Sequence, residues 1–414
     1  MKKLKLLVIG AGQRGRAYAK YALDNPGKAD VVAVAEPRDY YRNLIAEQHS
    51  IKQQYVFTDW KDTINCGKIA DAVIIATQDK MHTQPAVEYS RLGYDILLEK
   101  PMATTVDECE KIVDSVKTNK NLFAVAHVLR YTPYTKKVRE LVDNGRIGEI
   151  VSIQCLEPVG YWHQAHSYVR GNWRNEKEST FMLMGKSCHD LDWIRYFAAA
   201  KCNKISSFGN LKHFKKSSKP EGAADRCLEC KAESNCPYSA KKIYLGMFRE
   251  GHTQWPVSYI TTDISEEGIL ESLKTGPYGR CVYECDNDVV DHQVVNMEFE
   301  NGVTASFTMT AFTPFSHRKT TLFGTRGQIT GDGNTIKIYD FLTDTEEEIV
   351  VGAAGSGIVG GHGGGDNGLM ESFVEAISTK NDNAILSGPQ ETLESHLMVF
   401  AAEKSRLEGK VVYL

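Results

Sequence analysis

Leu6-Leu7-Val8-Ile9-Gly10-Ala11-Gly12-Gln13-Arg14-Gly15 decides the fold of this chain. Four apolar residues in a row read as a strand buried on both faces, as parallel strands are. A G-x-G-x-x-G turn follows at once, and residues 16–23 read as a helix with Ala17, Ala19, Tyr21 and Ala22 able to pack. Gly10 permits the tight turn, Gly12 lets a pyrophosphate approach the backbone, and Gly15 lets the helix sit close to the strand. The unpaired N–H groups and the dipole at the helix start favour an anion beside Gln13 and Arg14.

A glycine turn alone is a weak signal, but here its context matches. The next strand, Val31-Val32-Ala33-Val34-Ala35, ends in Glu36. A carboxylate at that distance hydrogen-bonds a ribose diol and repels a 2′-phosphate, so NAD is the expected cofactor. Arg38, two residues later, keeps NADP open as the second choice.

The rest of the first third alternates strand and helix. A helix is predicted over 39–48 and a short strand over 55–57. Ala72-Val73-Ile74-Ile75-Ala76 is a buried strand ending in Thr77-Gln78, with a helix over 83–92 after it. Asp95-Ile96-Leu97-Leu98 ends in Glu99-Lys100-Pro101. Thr105-x-x-Glu108 is a capping box that starts another helix, and Leu122-Phe123-Ala124-Val125-Ala126 closes the series. Such βα alternation predicts a doubly wound parallel sheet, with ligands at the carboxyl ends of the strands. Gly10, Glu36, Thr77, Glu99 and Lys100 all fall at those ends.

From about residue 150 the pattern changes. Residues 292–312 alternate apolar and polar, and Asn301-Gly302 signals a type I′ hairpin. More strands are predicted over 320–323, 328–330 and 335–339. The expected class is therefore α/β: a Rossmann domain over 1–128, then an α/β domain over 129–414 with a large, mainly antiparallel open sheet. Residues 206–291 read as an irregular, cysteine-rich insertion. Residues 352–368 are glycine-rich around His362, a lid loop or a linker, and the last helices are predicted over 369–377 and 391–407.

The length of 414 residues gives ample core for two or three domains. A net charge of −4 gives no reason to expect nucleic acid or an anionic membrane as partner. No apolar stretch is long enough to span a bilayer, and the apolar run after Met1-Lys2-Lys3 is too short for a signal peptide. Ten cysteines in so long a chain do not suggest a secreted disulfide scaffold, so the cytoplasm is the expected location.

Glycine turn, Glu36, Ala76-Thr77, Glu99-Lys100-Pro101 and Arg130-Tyr131-x-Pro133 together resemble the Gfo/Idh/MocA oxidoreductases. The resemblance implies NAD(P)-dependent oxidation or reduction of a secondary alcohol of a sugar or polyol. It implies that Lys100 is the active-site lysine and that His189 matches the histidine of the family's second catalytic segment. The family often has an aspartate four residues before that histidine. Here the position is Gly185, followed by Lys186, which becomes a candidate to bind substrate or to replace the acid/base partner. An ammonium near a positive nicotinamide ring has its pKa lowered, which suits Lys100 to proton exchange near neutral pH.

Gln78 and His82 join the expected cofactor set. Tyr161-Trp162-His163 and Arg170, Trp173 and Arg174 pair flat rings with polar donors, a chemistry suited to sugar faces and hydroxyls. Cys227-x-x-Cys230 is a knuckle that can grip one ion, with Cys236 close by. Cys281 is the expected fourth ligand and Cys285 the next choice. Structural zinc is the expected metal, with an Fe–S cluster second. Two other functions stay open: an NAD-retaining glycosidase working by oxidation, elimination, hydration and re-reduction, and a non-catalytic NAD-binding regulator. The one-sided sheet suggests a homodimer or homotetramer.

Overall fold

The computed structural model describes residues 3–352 and 363–414. His362 and most of the glycine-rich stretch lie outside them. Six strands form the first sheet: β1 (Leu4–Ile9), β2 (Ala29–Ala35), β3 (Val56–Phe57), β4 (Ala72–Ile75), β5 (Asp95–Leu98) and β6 (Phe123–Val125). All are parallel, in the order β3-β2-β1-β4-β5-β6. The central strands are apolar on both faces because helices cover both. Register aligns the strand ends: Ile9 faces Ala35 and Ile75, Ile75 faces Leu98, and Leu98 faces Val125. The residues that follow, Gly10, Glu36, Ala76, Glu99 and Ala126, therefore share one edge.

The second sheet has nine strands: β7 (Ile150–Pro158), β8 (Cys202–Asn210), β9 (His292–Phe299), β10 (Thr304–Thr310), β11 (Lys319–Gly324), β12 (Gly327–Gly331), β13 (Thr335–Asp340), β14 (Thr345–Val350) and β15 (Val412–Tyr413). Their order is β14-β13-β12-β11-β7-β10-β9-β8-β15. Every pair is antiparallel except β7 with β10. One face packs on the helices Met182–Ala198 and Pro389–Glu408. Val295, Met297, Phe299, Ala305, Phe307 and Met309 supply that face, as the alternation predicted.

Three local differences from the sequence reading have physical causes. The β9–β10 hairpin exists, but it is not a type I′ turn. Only Gly302 takes a left-handed conformation (φ +84°), and the Phe299 N–H bonds Val303 O across the loop. A type I′ turn needs both central residues left-handed. The irregular stretch begins as strand β8 and contains a regular helix, Glu266–Thr275, capped by the Ser265 hydroxyl. The helix predicted from 369 starts earlier, at Gly365, and runs to Thr379. It returns to the first sheet and buries Leu369, Met370, Phe373 and Val374 in that core. No helix among the described residues is long and apolar enough to cross a membrane.

Candidate active site

The glycine turn is built as its residues require. Gly10 has φ +85°, and a Cβ there would lie 2.5 Å from Ala76 O; at Gly15 one would lie 1.9 Å from Gly10 O. The helix Gln13–Asp24 has no side-chain cap and no acid in its first turn. Its first N–H groups therefore suit an anion. Among the described residues a Cβ at Gly12 would meet only the Arg38 guanidinium, at 3.5 Å, which leaves this side of the turn open among them to a pyrophosphate.

Glu36 is 2% exposed and accepts from Ala11 N–H at 2.7 Å. It also holds the Arg38 guanidinium, with Nε at 2.7 Å and Nη2 at 3.0 Å. Burial pushes its carboxyl up, but the Arg38 and Ala11 bonds outweigh that, and the net shift is downward. Arg38 lies over the Tyr41 ring, 4.4 Å from its centre. The insertion reaches this end of the cleft: burial raises the Tyr259 hydroxyl, which senses Arg38 and Tyr41.

The other strand-end residues brace the loops. Arg14 bonds Glu99 at 2.6 Å and pairs with Asp366 of the returning helix. Tyr18 donates to the same Glu99 oxygen, and the other Glu99 oxygen accepts the Lys100 N–H at 2.7 Å. Arg14 and Glu99 thus tie the glycine turn to the end of β5. His82 is fully buried, with ring nitrogens 2.7 Å from Pro101 O and 3.2 Å from Thr77 O. It joins the two loops on either side. Thr77 bonds Met81 O at 3.2 Å, and Gln78 precedes the short helical turn Asp79–Met81.

Lys100 crosses to a helix packed on the second sheet. Its Nζ donates to Gly185 O at 2.8 Å, in the first turn of the helix Met182–Ala198. His189, one turn on, is buried with its ring centre 5.7 Å from that of His127. Burial pushes His127 down to about 4, against Asp192, so its ring is neutral. Asp192 is held by both Nε and Nη2 of Arg130, each at 2.7 Å. Those bonds outweigh burial and hold its carboxyl low.

Lys186 leaves the helix in another direction. Its Nζ lies 3.2 Å from Glu157 of β7. Arg318 reaches the same Glu157 at 2.9 Å and Asp190 at 2.6 Å, closing a network of two cations and two acids. Burial lowers the Lys186 ammonium, with Glu157 opposing. His163, driven far down by burial and then by Lys186, stands neutral beside this network.

A Cβ on Gly185 would lie 3.6 Å from the Trp173 ring, so Trp173 stands next to the Lys100 contact. From there rings run outward: Tyr168 is 6.4 Å from Trp173, and His163 is 5.8 Å from Tyr168. Trp162 packs on Trp255 and Phe315, each at 5.1 Å. Tyr161 turns to Tyr238 of the insertion. Two of the arginines read as substrate residues face elsewhere. Arg170 is 1% exposed, and its Nε and Nη2 donate to Arg280 O and Tyr238 O. Arg174 pairs with Asp286 and Glu178.

Sequence reasoning missed Trp255, Phe315, Tyr168, Glu157, Asp190 and Arg318. An acid at a core-facing position of β7 was the one available signal for the network. The cysteines expected to hold a metal do not stand as a grouped ligand set: among the described residues no three Cys, His, Asp or Glu side chains group closely enough to hold an ion, and no cysteine is in a disulfide. The sequence spacing brings the sulfurs to one cavity without ordering them around a common centre.

Residues 4–127 match the model described as "Oxidoreductase family, NAD-binding Rossmann fold", and residues 139–414 match "Oxidoreductase family, C-terminal alpha/beta domain". YteT of Bacillus subtilis (strain 168), named as an oxidoreductase, is 25% identical over 338 residues, covering 77% of this chain and 76% of that protein. A 2,7-anhydro-N-acetylneuraminate hydratase of Mediterraneibacter gnavus is 23% identical over 214 residues, 51% of this chain and 54% of the hydratase. The match thus spans about half the length of that relative. Among solved structures, levoglucosan dehydrogenase in complex with NADH and L-sorbose aligns with a TM-score of 0.74 at 17% identity, covering 100% of this chain and 99% of that one. That likeness is one of fold.

Proposed function

This chain belongs to the Gfo/Idh/MocA family of oxidoreductases, and from that membership we propose that it moves a hydride between NAD and a secondary alcohol or ketone of a sugar, polyol or glycoside. The nicotinamide supplies the hydride acceptor or donor; the rest falls to this chain's side chains. The open start of the helix Gln13–Asp24 holds the pyrophosphate. Glu36 takes the ribose diol, and its buried charge opposes the 2′-phosphate of NADP.

The observation that carries this reading is the bond from Lys100 Nζ to Gly185 O. It spends one N–H on fixing the amine between the two sheets and leaves the other two positions on the nitrogen free to face a substrate hydroxyl. As the neutral amine Lys100 takes the hydroxyl proton when the hydride departs, and as the resulting ammonium it returns that proton in the reverse direction. His189 lies one helical turn away and orients the same hydroxyl. Lys186, with its charge shared by Glu157, and the neutral His163 serve hydroxyls farther from the reacting carbon. Trp162, Trp173, Trp255 and Phe315 offer flat apolar faces to the sugar ring. The test is Lys100→Met. NAD affinity should stay within a few-fold while turnover falls by about 10² or more, the usual size of a lost proton-transfer group. Near-normal turnover would remove Lys100 from the chemistry.

A second reading on the same site is favoured by the hydratase relative. Oxidation at one ring carbon acidifies the neighbouring C–H. Loss of that proton expels the leaving group, water adds to the resulting double bond, and the hydride returns to the ketone. The net change is addition of water across the broken bond, with no net redox change. Aglycone release without accumulation of NADH would select this reading.

A further inference from the structure

Cys227, Cys230, Cys236 and Cys281 come from three separate stretches of the insertion, yet all four line one cavity. The backbone explains the meeting. Arg226 and Arg280 form an isolated antiparallel bridge, and the Cys281 N–H donates to Asp225 O at 2.8 Å. Cys227 and Cys281 therefore stand side by side, and the short turn Cys227–Glu229 brings Cys230 to the same place.

Arg170 lines the same cavity. Its guanidinium is buried, with Nη2 3.5 Å from Cys227 Sγ and Nη1 without a hydrogen-bond partner among the described residues. Among the described residues no carboxylate lies within ion-pair distance of it; its other bonds go to Arg280 O at 2.7 Å and Tyr238 O at 2.8 Å. A buried cation without a counter-charge is costly. Four neutral thiols do not supply one. A divalent ion held by four thiolates carries a net charge of about −2 and does.

We propose that Cys227, Cys230, Cys236 and Cys281 bind one zinc ion as thiolates, with Arg170 as the buried counter-charge. The cavity has room for about one water-sized sphere, about 20 Å³, which suits a single ion. Closing the shell requires the sulfurs to swing inward from the free-thiol positions, which for cysteine is rotation about one side-chain bond. Each thiol loses its proton to solvent as its bond to zinc forms. The ion then acts through Arg170, which ends the π-helical segment Gln164–Arg170 carrying Tyr168 of the ring wall. The site is structural: it braces the insertion against the wall of the cleft.

The test uses full-length protein made without a metal-affinity step. Elemental analysis should find about one zinc per chain. Cys227→Ser and Cys236→Ser should lose it, while Cys66→Ser, at an exposed cysteine outside the cavity, should keep it. Arg170→Met should release zinc to a chelator about tenfold faster or more, the usual scale for a lost outer-shell partner. Because these variants can misfold, the unmodified protein is also stripped and titrated with Co²⁺. Sulfur-to-cobalt charge-transfer absorbance saturating near one equivalent supports the site. Absence of that band, the four cysteines found in disulfides, or iron with visible absorbance in place of zinc would each overturn the proposal.

Discussion

An alanine at position 15 would place its methyl carbon 1.9 Å from Gly10 O, with backbone as the obstacle and no flexible side chain to yield. Gly15→Ala should therefore disrupt the turn, abolish NAD binding and lower the melting temperature; calorimetry with and without NAD checks both effects. A stable Gly15→Ala protein that binds NAD would contradict the steric account. Glu36→Ala removes a charged acceptor from the ribose. Bonds of that kind contribute about 1.5–3 kcal/mol, so NAD should weaken by roughly tenfold to a hundredfold and the gap to NADP should narrow. Titration of both cofactors measures it, and a preference for NADP in the unmodified protein would refute the carboxylate argument. Both residues were legible in the sequence because their constraint is local: a turn must fold tightly, and a strand must end in an acid. The acceptor for Lys100 was not legible. Gly185 O is a backbone atom 85 residues away, and no side chain marks it. Arg170 misled for the opposite reason: an arginine beside aromatics reads as a cleft residue, but its partners come from the insertion.

At the scale of elements, the helix Met182–Ala198 governs the site. It carries Gly185, Lys186, His189, Asp190 and Asp192. By helical spacing alone, Lys186, His189, Trp193 and Tyr196 fall on one face. In the structure the side chains diverge: Lys186 goes to Glu157, and Trp193 Nε1 donates to Thr135 at 3.1 Å. The face was readable from spacing, but its neighbours, β7 and the segment Pro133–Asp143, were not. The helix is anchored by the buried Arg130–Asp192 pair. Truncating one partner strands the other charge, so Asp192→Ala should cost about 3–5 kcal/mol in urea unfolding. It should also lower turnover, since Gly185 O and His189 ride on the same helix. A loss under about 1 kcal/mol would mean that the pair is not the anchor.

For the whole molecule, the doubly wound sheet and the later antiparallel strands were readable from hydrophobic period. The return of Gly365–Thr379 to the first core was not, because an amphipathic helix does not state which sheet it covers. Packing also sets the response to acid. Burial pushes His127 down to about 4, and His166 and His396 down to about 3. Their folded values lie below the ordinary value of about 6.5, so the unfolded chain binds more protons in between. Their contribution is intact above about pH 6.5 and is lost as pH falls toward 4. Each histidine removes up to about 1.4 kcal/mol per pH unit in that window. Urea midpoints should therefore fall clearly from pH 7 to pH 5; an unchanged midpoint would contradict the buried neutral rings.

The most direct measurement of the central claim sets wild-type protein and Lys100→Met side by side against sugars, polyols and aryl glycosides with NAD⁺, reading NADH absorbance and aglycone release together. The account predicts turnover of at least one such substrate by the wild type, and loss of about 10² or more in Lys100→Met at nearly unchanged NAD affinity. Equal turnover by the two proteins, or NAD binding with no turnover of any of these substrates in either readout, would contradict it.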